Sequence, residues 1–176
     1  MKIPENKTLQ ELFEWRFSRT PDSVAHKFLD RETTYKELNN YSNQVANGLI
    51  ELGCKPDTRI AYYGKNSDFF FEVLIGTLKS NTVTVGVNWR LAPPEVSYVL
   101  NDSESEVLFV GADFYPVIDQ ILEDLPKIKK VVAIDGDHEN YQDYISWRNS
   151  QNSANPEIKS SPVSYTHLTL PTINWV

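Results

Sequence analysis

The chain has 176 residues, of which 40% are hydrophobic and 23% charged, enough to bury the core of one globular domain. A net charge of -7 and an isoelectric point near 5.0 argue against nucleic acids and anionic membranes as partners, because both attract clusters of Lys and Arg. Cys54 is the only cysteine, which excludes an intrachain disulfide and favours an inert thiol in a reducing compartment.

The expected location is the cytoplasm. The N-terminal stretch MKIPENKTLQ lacks the apolar core of a secretion signal. The most apolar window, residues 69–78, is interrupted by Glu72 and is far shorter than the roughly 20 residues of a transmembrane helix. We therefore expect no transmembrane segment.

A helix is predicted near the N-terminus. Thr8 and Glu11 form a capping box, in which each side chain accepts a hydrogen bond from a backbone amide at the helix start. Pro21 is expected to end the helix. Apolar residues at helical spacing predict its buried face: Leu9, Leu12, Phe13 and Phe17.

A hairpin and a longer helix are predicted next. Residues 24–29 and 32–34 have β-strand character and flank a turn at Asp30 and Arg31. Thr34 begins the helix with a second capping box, and Gly53 ends it by supplying a left-handed residue. The buried face of this helix is predicted from its apolar spacing: Tyr35, Leu38, Tyr41, Val45, Ala46, Leu49 and Leu52.

Short strands alternate with helices over the middle of the chain. The predicted strands are residues 59–63, 82–87, 106–110 and 130–134. The first intervening helix is expected to be capped by Ser67, to end at Asn81 and to bury Phe70, Val73, Leu74, Thr77 and Leu78. The second begins at Pro93 and Pro94, where a missing amide costs little.

The third intervening helix is predicted to be capped by Asp113 and stopped by Pro126, with a last helix over residues 141–147. Such alternation predicts an α/β fold, a doubly wound and mostly parallel sheet flanked by helices, with the small hairpin at its N-terminal side. Beyond Arg148 the composition turns to Asn, Ser and Pro, which predicts a poorly ordered segment.

No recognised catalytic or metal motif stands out. Gly64 and Lys65 suggest a phosphate loop, but the first glycine of G-x-x-x-x-G-K-[ST] is replaced by Arg59, and Asn66 stands where the magnesium-binding hydroxyl belongs. A turn is therefore the preferred interpretation. No G-x-G-x-x-G or G-x-S-x-G motif supports a dinucleotide site or a serine nucleophile.

The histidines do not form a metal-ligand pattern, because His26, His138 and His167 are scattered along the chain. His138 lies in the acidic stretch DGDHEN, but this stretch lacks the spacing of a calcium-binding loop and is interpreted as a solvated turn.

Two aromatic or basic groups could contact a ligand. The run of residues 69–71, all Phe, is at helical spacing and is interpreted as core packing. Asn88, Trp89 and Arg90 follow a strand, at the sheet edge where open α/β sheets bind ligands. For Arg90 we favour a structural role, at a helix C-terminus or paired with an acid.

Two segments together resemble the adenylate-forming superfamily. TTYKELNNYSNQVANGLIELG resembles its first core motif through Thr34, Tyr35, Glu37 and Leu38, and LKSNTVTVGVNWRLAPPEV resembles its second. The sequence NWRLAPPEV is most similar to that of fatty-acyl-CoA synthetases. Two local departures are Asn81, where the family usually has Gly, and Ala92, where a Thr commonly caps the next helix, a loss of about 1 kcal/mol.

The resemblance implies that residues 8–162 are the N-terminal portion of an AMP-dependent ligase domain. It implies ATP, Mg²⁺ and CoA as cofactors, and a fatty acid or other carboxylic acid as substrate, for a longer parent protein. The family's phosphate loop and catalytic residues have no matching positions here, so no catalytic, cofactor-binding or metal-binding residue is carried over. The chain alone is expected to be inactive.

The C-terminal residues 163–176, VSYTHLTLPTINWV, stand where the family continues into its phosphate loop. Val163 to Thr172 can be encoded by a transposase adapter of the kind used in sequencing libraries, and the tail is therefore predicted to be read-through. Two alternatives stay open: a non-catalytic module that binds a partner through a sheet edge, and a fragment of an amino-acid adenylation domain.

Overall fold

A parallel sheet with helices on both faces forms the centre of the molecule, in a computed structural model that describes residues 8–159. The strands are β1 Val24–Phe28, β2 Arg31–Thr34, β3 Arg59–Tyr63, β4 Val83–Val87, β5 Val107–Gly111, β6 Lys130–Ile134 and β7 Gln142–Asp143. The helices are α1 Leu9–Arg19, α2 Tyr35–Glu51, α3 Asp68–Lys79, α4 Pro93–Asp102, α5 Tyr115–Ile121 and α6 Tyr144–Asn149. Short 3₁₀ turns at Ala112–Phe114 and Leu122–Asp124 flank α5.

The sheet topology confirms the predicted fold class. β1 and β2 pair antiparallel as a separate hairpin, whereas the other five strands pair in parallel in the order β4-β3-β5-β6-β7. The chain therefore moves outward from β3 in one direction and then, through β5, in the other. This reversal leaves a crevice between the carboxyl ends of β3 and β5.

Alternation along the central strands divides the core into two layers. Ala61 and Leu108 point to the face that α4 and α5 cover, whereas Ile60 and Phe109 point to the face that α2, α3 and α6 cover. Burial of β3 and β5 on both faces explains their nearly continuous apolar sequences. A smaller cluster of Phe17, Leu38 and Ile75 attaches α1 to α2 and α3.

Most predicted helix ends are confirmed. Both Thr capping boxes form, and Gly53 and Asn81 adopt positive φ angles of 80° and 58° just after α2 and α3. One predicted cap is confirmed only in position, and another is wrong. Ser67 occupies the N-cap of α3, but its hydroxyl lies 3.1 Å from that of Tyr62 and makes no cap bond. Asp113 lies within a 3₁₀ turn and pairs with a lysine.

The predicted buried faces of α1 and α3 are partly wrong. Leu9 is exposed while Gln10 is buried. In α3, the charged residues Glu72 and Lys79 are buried, although Leu74 and Leu78 are only half-buried. The reason is that α3 is enclosed by the sheet on one side and by α1 and α2 on others, so its burial extends beyond one apolar stripe.

Element boundaries also shift by one to three residues. The hairpin turn is centred on Leu29 and Asp30 rather than on Asp30 and Arg31, with Leu29 at a φ of 54°. The predicted helix over residues 141–147 begins only at Tyr144, because Gln142–Asp143 forms the edge strand β7. None of the helices described between residues 8 and 159 is long and apolar enough to cross a membrane.

The segment after α6 was predicted to be poorly ordered, and this prediction is wrong for residues 150–159. Side-chain amides of α2 donate to its main-chain carbonyls: Asn43 to Ser153 at 2.9 Å, and Asn47 to Asn152 and Ala154 at 2.7 and 2.8 Å. These bonds hold a polar segment in place without apolar burial, which composition alone does not reveal. Residues 163–176 lie outside the described part of the chain.

Candidate functional site

A cleft of about 370 Å³ opens at the carboxyl ends of the central strands. Tyr62 near the end of β3, Gly111 at the end of β5 and Asp135 just after β6 contribute to its wall, together with the hairpin turn at Phe28 and Leu29. The cleft lies at the reversal of strand order, where doubly wound sheets bind their ligands. It is therefore the candidate functional site.

An ion pair crosses the cleft wall from the hairpin to α3. The guanidinium of Arg31 donates from Nε and Nη2 to the two carboxylate oxygens of Asp68, at 2.8 and 2.7 Å. Burial by itself raises the pKa of Asp68, but the hydrogen bonds and charge of Arg31 outweigh it and leave the pKa below its ordinary value. Asp68 is thus a structural carboxylate that fixes the hairpin against the start of α3.

A second ion pair lies at the mouth of the cleft. Lys65 Nζ donates to Asp113 Oδ2 at 2.7 Å, and both side chains are exposed. Lys65 also lies 5.9 Å from the ring of Trp89. The Gly64-Lys65 pair that resembles part of a phosphate loop is thus placed in the turn between β3 and α3. Exposed pairs of this kind contribute little to stability.

The remaining polar groups of the cleft are weakly suited to catalysis. Burial raises the pKa of the Tyr62 phenol to about 12, and its hydroxyl is bonded to Ser67. Burial also raises the pKa of Asp135, although Arg31 lowers it. Among residues 8–159, no group of three or more His, Cys, Asp or Glu side chains is placed to hold a metal ion. The cleft has the form of a binding site without a paired acid and base.

The other candidate residues lie outside the cleft or at its margin. Asn88, Trp89 and Arg90 directly follow β4, as the sequence predicts. The contact found for Arg90 is structural but of another kind: its guanidinium lies 4.2 Å from the centre of the Trp89 ring. Among residues 8–159, no acid forms an ion pair with this exposed side chain.

The aromatic run of α3 is used mainly for packing. Phe69 is buried against Tyr144, and Phe70 packs edge-on against Tyr62. Phe71 is exposed and stacks on His26 at 5.6 Å between ring centres. Burial lowers the pKa of His26, which keeps the imidazole neutral near pH 7.

His138 holds a turn in place. Its ring stacks on Tyr141 at 3.8 Å, and its Nε2 lies 3.2 Å from Asp119 on α5. The other ring nitrogen accepts from the amide of Asn140, so both are engaged. His167 lies outside the described residues. Burial raises the pKa of Cys54, as expected for an unreactive thiol.

Sequence reasoning missed a buried polar cluster on the opposite side of the sheet from α4 and α5. Glu72 accepts hydrogen bonds from Arg148 and Tyr144, both at 2.7 Å. The one available signal was a glutamate within the most apolar window of the chain. Its partners are more than 70 residues away in sequence, and no local pattern identifies them.

Comparison with known proteins provides independent information on this fold. Residues 13–169 match the sequence profile of a family described as AMP-binding enzyme. The chain is 34% identical over 154 residues to the fatty acid–[acyl-carrier-protein] ligase ScoC of Streptomyces coeruleorubidus, covering 88% of this chain and 28% of that protein. It is 38% identical over 116 residues to bacitracin synthase 2 of Bacillus licheniformis, covering 66% and 4%.

Solved structures agree with these relatives. The anthranilate CoA ligase AuaEII, in complex with anthranoyl-AMP, superposes with a TM-score of 0.81 at 29% identity, covering 88% of this chain and 30% of that one. A fatty acyl CoA synthetase of Mycobacterium tuberculosis superposes with a TM-score of 0.77 at 28% identity, covering 87% and 30%. The chain thus spans less than a third of the length of these proteins.

Proposed function

The chain belongs to the AMP-binding enzyme family, and we propose that it is the N-terminal portion of an ATP-dependent acyl-CoA synthetase. The observation that carries this proposal is the match of 88% of the chain to only 28% of a fatty acid ligase. The likeness to two CoA ligase structures at 28–29% identity supports it. Residues 8–162 are the proposed ligase portion, residues 163–176 are proposed not to belong to it, and a cytoplasmic location is part of the proposal.

The parent enzyme would carry out an adenylyl transfer followed by an acyl transfer. A carboxylate oxygen of the substrate would attack the α-phosphorus of ATP, the bond to pyrophosphate would break, and an acyl-AMP would result. The thiol of CoA would then attack the acyl carbon and displace AMP. Mg²⁺ would offset the charge of the phosphates during the first step.

The residues described here do not fit ATP and Mg²⁺ on their own. Lys65 is paired with Asp113, the preceding turn contains a single glycine, and no cluster of metal ligands lies among residues 8–159. The cleft supplies polar contacts without a nucleophile and its base. We therefore assign no step of the reaction to this chain and infer that it is inactive alone.

Pyrophosphate release tests this proposal. The purified chain, mixed with ATP, Mg²⁺ and a fatty acid, is expected to release no pyrophosphate above a protein-free blank. A matched protein, extended through the genomic codons that follow residue 162, is expected to release pyrophosphate and, with CoA, to form a thioester. Sustained release by the short chain, or none by the extended one with any carboxylic acid, would contradict the proposal.

A second candidate is a fragment of an amino-acid adenylation domain. The 38% identity to bacitracin synthase 2 favours it, although over a shorter stretch than the fatty acid ligase. The same extended protein separates the two candidates, because an adenylation domain would exchange pyrophosphate into ATP with an amino acid and not with a fatty acid. A carrier-protein sequence downstream at the locus would agree with that outcome.

A further inference from the structure

The charges around the cleft at the carboxyl ends of the strands do not cancel. Arg31 is neutralised by its two hydrogen bonds to Asp68, and Lys65 is neutralised by its ion pair with Asp113. The Asp135 carboxylate also belongs to the cleft wall. In the described part of the chain, its side chain has no hydrogen-bond or ion-pair partner. The two pairs and Asp135 together leave one net negative charge on the cleft.

The Asp135 carboxylate is incompletely compensated. Burial raises its pKa, and the charge of Asp68 raises it further, although the charge of Arg31 lowers it. Arg31 is committed elsewhere, because it donates to both oxygens of Asp68 and lies 5.4 and 5.0 Å from the ring centres of Phe28 and Phe69. A cation added to the cleft would therefore stabilise the charged form of Asp135.

The rest of the cleft wall is mainly apolar and aromatic. The rings of Phe28, Tyr62 and Phe114 all line it. The Tyr62 hydroxyl is engaged with that of Ser67 at 3.1 Å, so Tyr62 offers mainly its ring, and Asn66 adds no charge. The faces of aromatic rings attract cations. The wall thus suits a ligand that combines an apolar body with a positive charge.

Leu29, at the tip of the hairpin, is an unusual member of this wall. Its side chain is 76% exposed, and its φ of 54° lies in the left-handed region that a leucine rarely adopts. Asp135 also has a positive φ, of 62°. Strained backbone that persists beside a cleft is typical of functional sites. Contact with the apolar body of a ligand would remove the exposed leucine from water.

We propose that this cleft binds a small organic cation, a protonated primary amine carried on an apolar or aromatic body. The ammonium group donates to the Asp135 carboxylate, and the body lies against Phe28, Leu29 and Phe114. A primary ammonium has three N–H donors, and a bond from one of them to a carboxylate is charge-assisted. The volume of about 370 Å³ is in the range of small-molecule sites and accommodates a phenyl ring with a short alkyl arm.

An organic anion is a less favourable occupant of the same cleft. Its charge would meet the uncompensated carboxylate of Asp135. To reach Arg31 or Lys65, it would have to displace Asp68 or Asp113 from hydrogen bonds of 2.7 to 2.8 Å. The inferred ligand therefore differs from the carboxylic acid and ATP of the proposed reaction, and the inference does not depend on that proposal.

Titration with three probes that share a phenylethyl body tests the charge preference. Amide chemical shifts of the full chain are followed by NMR at pH 7 in the absence of ATP, so that the outcome is separate from that of the pyrophosphate assay. We expect 2-phenylethylamine to bind with a Kd of about 1 mM or tighter, at least about tenfold more tightly than 2-phenylethanol or 3-phenylpropionate. No saturable binding of the amine, or a preference below about tenfold, would overturn the proposal.

Asp135→Asn tests the carboxylate itself. Asparagine has nearly the same shape and tolerates a positive φ, so the fold should persist while the affinity for 2-phenylethylamine falls by at least about tenfold. Asp137→Asn removes the same charge two residues away, at a position that does not line the cleft, and is the matched control with no expected effect. Unchanged affinity of Asp135→Asn, or an equal loss for both variants, would contradict the inference.

Leu29→Gly tests the apolar contact. Glycine adopts a φ of 54° without strain, so the hairpin should persist while the leucine side chain is lost. The affinity for 2-phenylethylamine is expected to fall by about threefold or more, because part of the apolar surface that covers its ring is removed. An affinity equal to that of the wild type would show that the apolar body lies elsewhere, and the proposed site would then be wrong.

Discussion

The two faces of the central sheet are filled in different ways. The face covered by α4 and α5 is packed by apolar side chains such as Leu108, Val96 and Ile118. The face covered by α2, α3 and α6 contains an equally apolar layer, but Glu72, Lys79 and Arg148 are buried beside it at 2%, 0% and 6% exposure. The first face is specified by apolar periodicity, whereas the second also depends on polar partners from distant parts of the chain.

The Glu72 cluster fastens α6 to α3. Burial raises the pKa of Glu72, while the charge and hydrogen bond of Arg148 lower it. The guanidinium of Arg148 also lies 3.8 Å from the centre of the Tyr41 ring, which brings α2 into the same contact. Residues 150–159 follow α6 directly and contact α2 and α1 through hydrogen bonds from Asn43 and Gln10. By fixing the position of α6, the Glu72 cluster therefore also fixes the start of this segment.

Among residues 8–159, no carboxylate forms an ion pair with the buried Lys79. Its Nζ donates to the side-chain oxygens of Asn39 and Asn43, at 2.6 and 2.5 Å, and lies 5.2 Å from the ring of Phe17. Burial lowers the pKa of Lys79 to about 8, although the more distant charge of Glu14 raises it. Neutral amide oxygens satisfy its hydrogen bonds but supply no opposite charge, so the ammonium form is disfavoured in the folded state.

The largest expected effect comes from removing one member of the buried ion pair. Arg148→Met leaves the Glu72 carboxylate buried without its cation, and we expect a loss of about 3–5 kcal/mol in the free energy of unfolding, measured in urea. The double variant Glu72→Leu with Arg148→Met removes both charges and is expected to regain most of that loss. A loss under about 1 kcal/mol for the single variant would mean that the face covered by α2, α3 and α6 does not depend on its buried ion pair for stability.

A substitution on the apolar face, covered by α4 and α5, should lower stability without any dependence on charge. Ile118 is fully buried on α5, so Ile118→Ala is expected to cost about 3 kcal/mol through lost burial and a residual cavity. No titratable group takes part, and the loss should therefore be the same at pH 6 and pH 8. A marked pH dependence of this loss would show that the apolar face is coupled to the charged one.

A smaller effect is expected from Lys79, which should make stability depend on pH on the face covered by α2, α3 and α6 only. The folded-state pKa of Lys79 lies below its unfolded value of 10.5, so the unfolded chain binds more protons above pH 8 and stability rises with pH. Between pH 8 and 9.5, the unfolding free energy of the wild type should rise relative to that of Lys79→Met by about 1.6 kcal/mol. The comparison is made between these two variants at each pH because the raised pKa of the Cys54 thiol and of buried tyrosines such as Tyr62 acts in the opposite direction in both.

The smallest expected effect restores a missing cap on the apolar side. Ala92 occupies the N-cap of α4 and has no side-chain acceptor, although Glu95 already accepts from its amide at 2.8 Å. Ala92→Thr completes the capping box and should raise the unfolding free energy by about 1 kcal/mol. Thr34→Ala removes the cap of α2 and should lower it by a similar amount. Equal and opposite shifts in thermal midpoint would agree with both expectations.

Elements that depend on neighbouring residues were predicted well. The two capping boxes, the left-handed residues Gly53 and Asn81 and the strand at residues 130–134 are where the sequence places them. Segments whose environment comes from distant residues were predicted poorly. The burial of α3, the edge strand β7 and the ordered path of residues 150–159 all require partners that no local spacing reveals.

The candidate site shows the same division. Sequence reasoning placed Asn88 to Arg90 at the carboxyl edge of the sheet, but the cleft is lined by residues such as Arg31 of the hairpin, Tyr62 of β3 and Asp135 just after β6. The order of helices and strands, and the resemblance to a family, follow from local sequence, because caps, turns and periodicity act over a few residues. Which buried charges meet and where the cleft opens depend on the folded chain, because those contacts join residues that are dozens of positions apart in sequence.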